Sequence, residues 1–249
     1  MLVGNNPASE VYVKNKSNSC EAVGIGGKLL RLDENSSQAE LENTIKELAR
    51  DNSVHGILVQ LPLPKNKGFD DFRATELVPI EKDVDGFTMS SLGALALSGD
   101  GFTSCTPGGI LYMLQTYGIE LEGKRAVIVG RSKIVGKPMA LTLLNQDCTI
   151  TVCHSKTRNL KEICLTADIL IATVGKPKLI TADMVKEGAV VVDVGINRTE
   201  EGLVGDVDFD NVSKKASYIT PVPGGVGPMT VAYLMKNTLL AYEKANGLK

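Results

Sequence analysis

The chain has 249 residues, 43% apolar and 22% charged, with a formal net charge of −2. At roughly 150 residues per domain, this length predicts one to two domains with a real core, and the near-neutral charge gives no reason to expect a nucleic acid or an anionic membrane as partner. No run is apolar for long enough to span a bilayer, and the start MLVGNNPASE lacks the regions of a signal peptide.

Five cysteines without a C-x-x-C pair predict a reducing compartment, with the cytoplasm as the default. Cys148 and Cys153 flank one predicted strand at an odd offset, so their side chains point to opposite faces and do not share a metal. With only two histidines, His55 and His154, a zinc site or a serine-type triad has little to build on, and no metal is expected.

Leu2-Val3-Gly4 reads as the tail of a strand. A helix follows, with Ser9 as N-cap and Glu10 in its first turn, running to about Cys20–Val23. Tyr12 and Lys16 are four apart and share a face of it; on spacing alone Lys16 is equally a solvated surface lysine. Gly24–Leu32 is a plausible strand. Ser37–Asn52 is helical, with Leu41, Ile45 and Leu48 at apolar spacing and a capping box between Ser37 and Glu40. Val54–Leu61 reads as a strand ended by Pro62, which puts Gln60 at a carboxyl end, where α/β proteins gather ligand groups, or simply at a rim. Pro79–Gly86 is a polar turn. Asp83 and Asp85 would share a face in extended chain. A divalent cation is conceivable there, carboxylates accepting from a heterocycle's N–H groups fit better, and a solvated turn stays open for Asp83.

Thr106-Pro107 opens a helix to about Tyr117, with Gly118 as its C-cap, and a domain junction is placed here. Ala126–Val129 is a buried strand, ended by Gly130 and the polar turn Arg131-Ser132-Lys133. A helix begins at Ile134, with Pro138 in its first turn. Free N–H groups and the helix dipole make such a turn a phosphate site, although the pattern departs from G-x-G-x-x-G, the next glycine being Gly136, and an ordinary strand–helix turn would look alike. The second strand, Thr149–Cys153, leads to His154-Ser155-Lys156-Thr157-Arg158. An NAD site carries an acidic residue about here to hold the ribose. Hydroxyls and cations stand in its place, which suits a 2′-phosphate and therefore NADP, or else a solvated loop end.

Asp168–Val174 and Ala189–Val194 repeat the apolar pattern, with Thr181–Lys186 as a short helix between them, so a parallel, doubly covered sheet is predicted. Ser217–Thr220 leads into Pro221–Pro228, a loop with three prolines and three glycines, rigid yet able to approach a ligand closely. The last helix, Met229–Ala245, places Val231, Leu234, Met235, Leu239 and Tyr242 on its apolar positions and is expected to pack back on the first segment.

Seven motifs, in order, carry a resemblance. They are YVKNK (Tyr12–Lys16), VQLPLP (Val59–Pro64), EKDVDG (Glu81–Gly86), CTPGG (Cys105–Gly109), VGRSKIVGKP (Val129–Pro138), CHSKT (Cys153–Thr157) and PVPGGVGPMT (Pro221–Thr230). With them the chain resembles the bifunctional methylenetetrahydrofolate dehydrogenase/methenyltetrahydrofolate cyclohydrolases. The resemblance implies an α/β fold of two domains joined by two helices. One is a folate-binding catalytic domain over residues 1–106, completed by the C-terminal helix 229–249. The other is a Rossmann-type parallel-sheet domain over 107–228. It further implies a helix and strand ahead of Leu2 that this chain lacks, one cleft serving both reactions, and a homodimer.

The implied activity is oxidation of methylenetetrahydrofolate by NADP+ and hydrolysis of the methenyl cation to 10-formyltetrahydrofolate. Lys16 matches the family's catalytic lysine, a base for water that the cationic substrate helps to keep unprotonated. Gln60 would position its amine, Tyr12 would pack on the folate, and Asp85 would meet the pterin's donor edge. Leu61, Pro221, Gly224 and Gly225 would line the folate. Gly130, Arg131, Ser132, Gly136, His154, Ser155, Thr173, Gly175, Gly195 and Ile196 would hold NADP, with Arg131 and Ser155 favouring the 2′-phosphate. Retention of Tyr12, Lys16 and Gln60 argues against a dehydrogenase without cyclohydrolase activity; a nucleotide-binding remnant is the other alternative.

Overall fold

The computed structural model describes residues 1–65, 67–200 and 202–248. It separates into two compact units, Met1–Cys105 with Val231–Lys249 and Thr106–Thr230, called units 1 and 2 below.

Unit 1 opens with β1 (Leu2–Val3), which pairs in parallel with β2 (Arg31–Leu32). Between them runs α1 (Pro7–Ala22). The helix starts two residues before the expected Ser9 cap. Pro7 takes the first position, where a missing N–H costs nothing, and the Asn6 side-chain oxygen accepts from Ser9 N at 3.2 Å, so Asn6 caps and Ser9 is buried. The expected strand over Gly24–Leu32 shrinks to β2. Gly24 has φ of +74° and closes α1, with Ile25 N donating back to Cys20 O at 2.8 Å.

The next helix, α2 (Gln38–Arg50), has the capping box, with Glu40 N donating to Ser37 Oγ and Ser37 N donating to the Glu40 carboxylate. Leu41 and Ile45 are fully buried. Their burial, about 1.5–3 kcal/mol each, outweighs the roughly 1 kcal/mol of the cap. Packing therefore holds the helix, and the cap fixes where it starts. The predicted strand Val54–Leu61 forms no ladder. Its backbone partners are Asp51, whose carbonyl accepts from Val54 N, Met1, which donates to Leu58 O and accepts from Gln60 N, and Lys82, whose carbonyl accepts from Ile57 N. Two short helices follow, α3 (Asp71–Thr75) and α4 (Met89–Ala96).

Unit 2 carries a five-stranded, all-parallel sheet. Its strands are β3 (Arg125–Val129), β4 (Thr149–Cys153), β5 (Ile169–Ala172), β6 (Val190–Asp193) and β9 (Tyr218–Ile219), in the order β4-β3-β5-β6-β9. Alternate residues feed two cores. Val127, Val129, Leu170, Ala172 and Val191 lie in one, and Ala126, Ile128, Ile169, Ile171, Val190 and Val192 in the other. Both faces are thus covered, as the continuous apolar runs require. Cys153 belongs to the first core and Cys148 to the second, as the odd offset predicts.

The crossovers hold α6 (Gly136–Leu144), α7 (Leu160–Cys164) and α8 (Phe209–Val212). Thr181–Lys186 gives a single 3-10 turn, Ala182–Met184. A hairpin of β7 (Asn197–Thr199) and β8 (Gly202–Val204) was not foreseen; its strands are three residues each, too short for a period to register.

The unit boundaries fall inside α5 (Cys105–Thr116) and α9 (Val226–Ala245). Gly118, with φ of +65°, closes α5 as expected. The last helix, α9, starts three residues ahead of Met229 and absorbs Pro228 into its first turn, where no N–H is needed; Lys249, included in the expected helix, lies outside the described residues. In unit 1, Leu234, Met235 and Ala241 of α9 pack with Val84, Phe102 and Cys105, as the packing-back expectation has it. Leu239 and Tyr242 are exposed instead of buried; Tyr242 meets His55 edge-on at 5.1 Å. No helix among the described residues is long and apolar enough to cross a membrane.

Candidate active site

In unit 1, α1 carries Lys16 to Gln60. Lys16 Nζ donates to Gln60 Oε1 at 3.2 Å, and Gln60 Nε2 donates to Leu61 O at 2.8 Å. The amide is thereby fixed with its oxygen toward the amine, and Gln60 is only 9% exposed. Tyr12, one turn earlier on α1, is exposed, and its side chain makes no hydrogen bond among the described residues.

Asp83 and Asp85 part company. Asp83 is buried and consumed by its own turn. One oxygen accepts from Gly86 N and Phe87 N, the other from Thr88 N at 2.9 Å and Ser91 Oγ at 2.6 Å. It is neither a solvated turn residue nor a ligand group. Asp85 is buried too, but its carboxyl sits in the field of Lys16, Asp83 and Cys105. Burial pushes it up from the ordinary carboxylate range, and the Lys16 charge acts against that rise.

Gly86 makes this placement possible. It has φ of +68°, and a Cβ there would lie 2.6 Å from Ser104 N and 2.8 Å from Phe102 O, so only glycine lets the two segments close. Next to Asp85, the Cys105 thiol is pushed well above its usual range by burial and then by the Asp85 charge. Asn237 of α9 ties these segments together, its Nδ2 donating to Val84 O at 2.9 Å and Thr103 O at 3.0 Å. Sequence reasoning gave Asn237 no role. The signal was a polar residue among Leu234, Met235 and Ala241.

In unit 2 the cofactor candidates collect at the carboxyl edge of the sheet. Gly130 N donates to Cys153 O, Thr173 N to Val129 O, and Val194 N to Ala172 O. The Gly130–Gly136 turn, the His154–Arg158 turn, the Thr173–Gly175 loop and the Gly195–Ile196 loop therefore leave from neighbouring strand ends. The expected free amides lie elsewhere in the first turn. Val135 N and Gly136 N, ahead of the rest of α6, both donate to Ser132 Oγ, whereas Arg131 N and Ser132 N have no partner among the described residues.

His154 closes its own turn. Its N donates to Thr157 Oγ1 at 2.8 Å and its Nδ1 accepts from Lys156 N at 3.1 Å. That leaves Ser155 exposed at the tip. Arg131, Lys156 and Arg158 are exposed and form no ion pair among the described residues. Unpaired cations, a free hydroxyl and free amides fit a phosphorylated dinucleotide. Thr173, Gly175, Gly195 and Ile196 complete the edge, with Ile196 exposed. Pro221, Gly224 and Gly225, after β9, line a groove of about 560 Å³ with Tyr112 and Thr220. Two buried carboxylates beneath this edge, Asp193 and Asp206, escaped sequence reasoning, although an aspartate inside AVVVDV was a signal for the first.

A parallel sheet with phosphate-suited turns at its carboxyl edge, in a chain that also carries a lysine–glutamine pair beside a buried aspartate, defines a dinucleotide-dependent enzyme. The family model for the tetrahydrofolate dehydrogenase/cyclohydrolase catalytic domain matches residues 1–85, and that for the family's NAD(P)-binding domain matches 104–246. The bifunctional protein FolD of Caldicellulosiruptor saccharolyticus is 55% identical, over 100% of this chain and 90% of its own length. The crystal structure of the bifunctional FolD of Campylobacter jejuni superposes with a TM-score of 0.95 at 53% identity, covering 98% of this chain and 86% of that one. A Trypanosoma brucei FolD, solved with NADP cofactor and an inhibitor, gives 0.91 at 37%, covering 98% and 85%. The chain belongs to the tetrahydrofolate dehydrogenase/cyclohydrolase family.

Proposed function

We propose that the chain oxidises 5,10-methylenetetrahydrofolate with NADP+ and hydrolyses the resulting methenyl cation to 10-formyltetrahydrofolate, and that the residues above divide the work as follows. NADP+ supplies the hydride acceptor. The methylene carbon gives up a hydride and becomes the methenyl cation. Water then adds to that carbon and one of its protons passes to Lys16 Nζ; the carbon's bond to one of its two nitrogens breaks as the C=O forms, the remaining hydroxyl proton moves to that nitrogen, and the formyl product results. Gln60 holds the Lys16 amine in place for the first transfer. Asp85 offers two oxygens to the pterin's N–H edge, Tyr12 presents its exposed ring to the folate, and Leu61, Pro221, Gly224 and Gly225 are its further contacts.

Gly130, Arg131, Ser132, Gly136, His154, Ser155, Thr173, Gly175, Gly195 and Ile196 are assigned to the dinucleotide, with Arg131 and Ser155 on the 2′-phosphate. The observation that carries this reading is the Lys16–Gln60 hydrogen bond beside buried Asp85. The enzyme is further assigned to the cytoplasm, which its five free thiols support, and to a homodimer; light scattering that gives the mass of a single chain overturns the dimer.

The test is turnover. Purified protein is mixed with methylenetetrahydrofolate and NADP+ or NAD+, and hydrolysis of added methenyltetrahydrofolate is followed in parallel. Both activities, with NADP+ preferred, are expected. A folded protein with neither activity overturns the assignment, and a preference for NAD+ overturns the roles of Arg131 and Ser155.

A further inference from the structure

We infer that Asp206 is a positioning residue for the dinucleotide, an inference that rests on the function proposed above. Its carboxylate is fully buried and accepts four hydrogen bonds. Oδ2 takes Val174 N at 2.6 Å and Gly175 N at 3.0 Å; Oδ1 takes Lys176 N at 2.8 Å and Asn197 Nδ2 at 2.9 Å. The first three amides are consecutive and form the loop after β5. The fourth donor, Asn197, opens β7 directly after the Gly195–Ile196 loop. One carboxylate thus ties the loop after β5 to the strand that follows the loop after β6.

Asp206 is itself held by a second buried carboxylate. Asp193, the last residue of β6, accepts from Gly195 N and Asp206 N with Oδ1 and from Val207 N with Oδ2. The two segments interlock through glycines. A Cβ on Gly205 would lie 1.8 Å from Asp193 Oδ2, and one on Gly195 would lie 2.3 Å from Asp206 Oδ1. Thr220 Oγ1 accepts from Asp193 N at 2.8 Å, which adds the strand end leading to Pro221. The arrangement spends two buried carboxylates on backbone amides and one side-chain amide, with no cation among their donors. Such groups are a poor route to stability, because desolvation offsets what the bonds return. What they supply is a single loop geometry at the edge where a nicotinamide must be held against the reacting carbon.

The roles of the two units separate the test from a general loss of fold. Asp206→Asn keeps the size but turns an NH2 toward one set of loop amides, leaving donors facing donors. The expected result is at least a tenfold weaker NADP+ dissociation constant by calorimetry. Hydrogen exchange at Val174–Lys176 quickens, and dehydrogenase kcat/KM falls chiefly through KM for NADP+. Cyclohydrolase activity without nucleotide stays within twofold. An unchanged NADP+ affinity in folded D206N overturns the inference, as does an equal loss of both activities. If D206N does not fold, Asn197→Ala removes one of the four bonds and is expected to weaken NADP+ three- to tenfold, with faster exchange confined to the same amides; no change in affinity overturns the inference there too. Wild-type protein that fails to bind NADP+ overturns the proposed function, and this inference with it, whereas wild-type binding with unaffected variants overturns this inference alone.

Discussion

The proposed sites of the two units are built from different chemistry. In unit 1 the proposed groups are side chains, Lys16, Gln60 and Asp85, of which Gln60 and Asp85 are buried. In unit 2 the edge is built from backbone amides, glycines and exposed cations at strand ends. A side-chain site concentrates its function in a few atoms, so single substitutions should be severe there. A backbone site spreads recognition over many weak contacts, so single substitutions should be graded and should change which dinucleotide is preferred more than whether one binds.

The sharpest way to break this contrast is Lys16→Met. Cyclohydrolase turnover should fall by roughly 10²–10⁴-fold, the range for loss of a general base, with the NADP+ dissociation constant unchanged. Full activity in the variant would move the base elsewhere. Next comes Asp85→Asn, for which folate binding should weaken by about 10–100-fold, the worth of a charge-assisted pair of bonds.

Stability should move the other way. Burial raises the Asp85 pKa, so above the ordinary value of about 4 the folded chain keeps a proton that the unfolded chain has released. This group's contribution is therefore largest in acid and is lost as pH rises through the raised pKa. The Tm of D85N should gain on wild type as pH rises above the ordinary carboxylate value of about 4, and a gap that moves the other way would contradict the burial argument.

In unit 2, Arg131→Ala should cut the preference for NADP+ over NAD+ by about tenfold, as expected for one charge-assisted contact, with cyclohydrolase activity retained; an unaltered preference places the 2′-phosphate elsewhere. The smallest effect belongs to Ser37→Ala, which removes the capping box of α2. It should cost about 1 kcal/mol in denaturant unfolding and leave both activities at wild-type values at 25 °C.

The parallel sheet was legible because each strand is an apolar run long enough to stand out, and doubly buried strands have no polar alternation to confuse them. Val54–Leu61 has the same composition yet makes no ladder, since its backbone partners Met1 and Lys82 are distant in sequence and no local pattern announces them. The cap expected at Ser9 falls to Asn6 because the chain enters the helix at Pro7, which local composition does not announce. Lys16 and Asp85 were proposed from their motifs, YVKNK and EKDVDG. The Asp83 role was not legible, because a carboxylate that closes its own turn and one that faces a ligand look identical until their donors are placed. Asp206 was hidden for the same reason, its four donors lying nine to 32 residues away.

One consequence follows for how the chain is made. Unit 2 is continuous, Thr106–Thr230, whereas unit 1 waits for Val231–Lys249. On a ribosome the nucleotide-binding unit has all its residues before the folate-binding unit does, since domains fold as they emerge. The amide of Asn237 that ties Val84 to Thr103 is among the last to arrive. A nascent chain halted before it already carries the residues of the nucleotide turns but lacks the Asn237 amide that ties Val84 to Thr103.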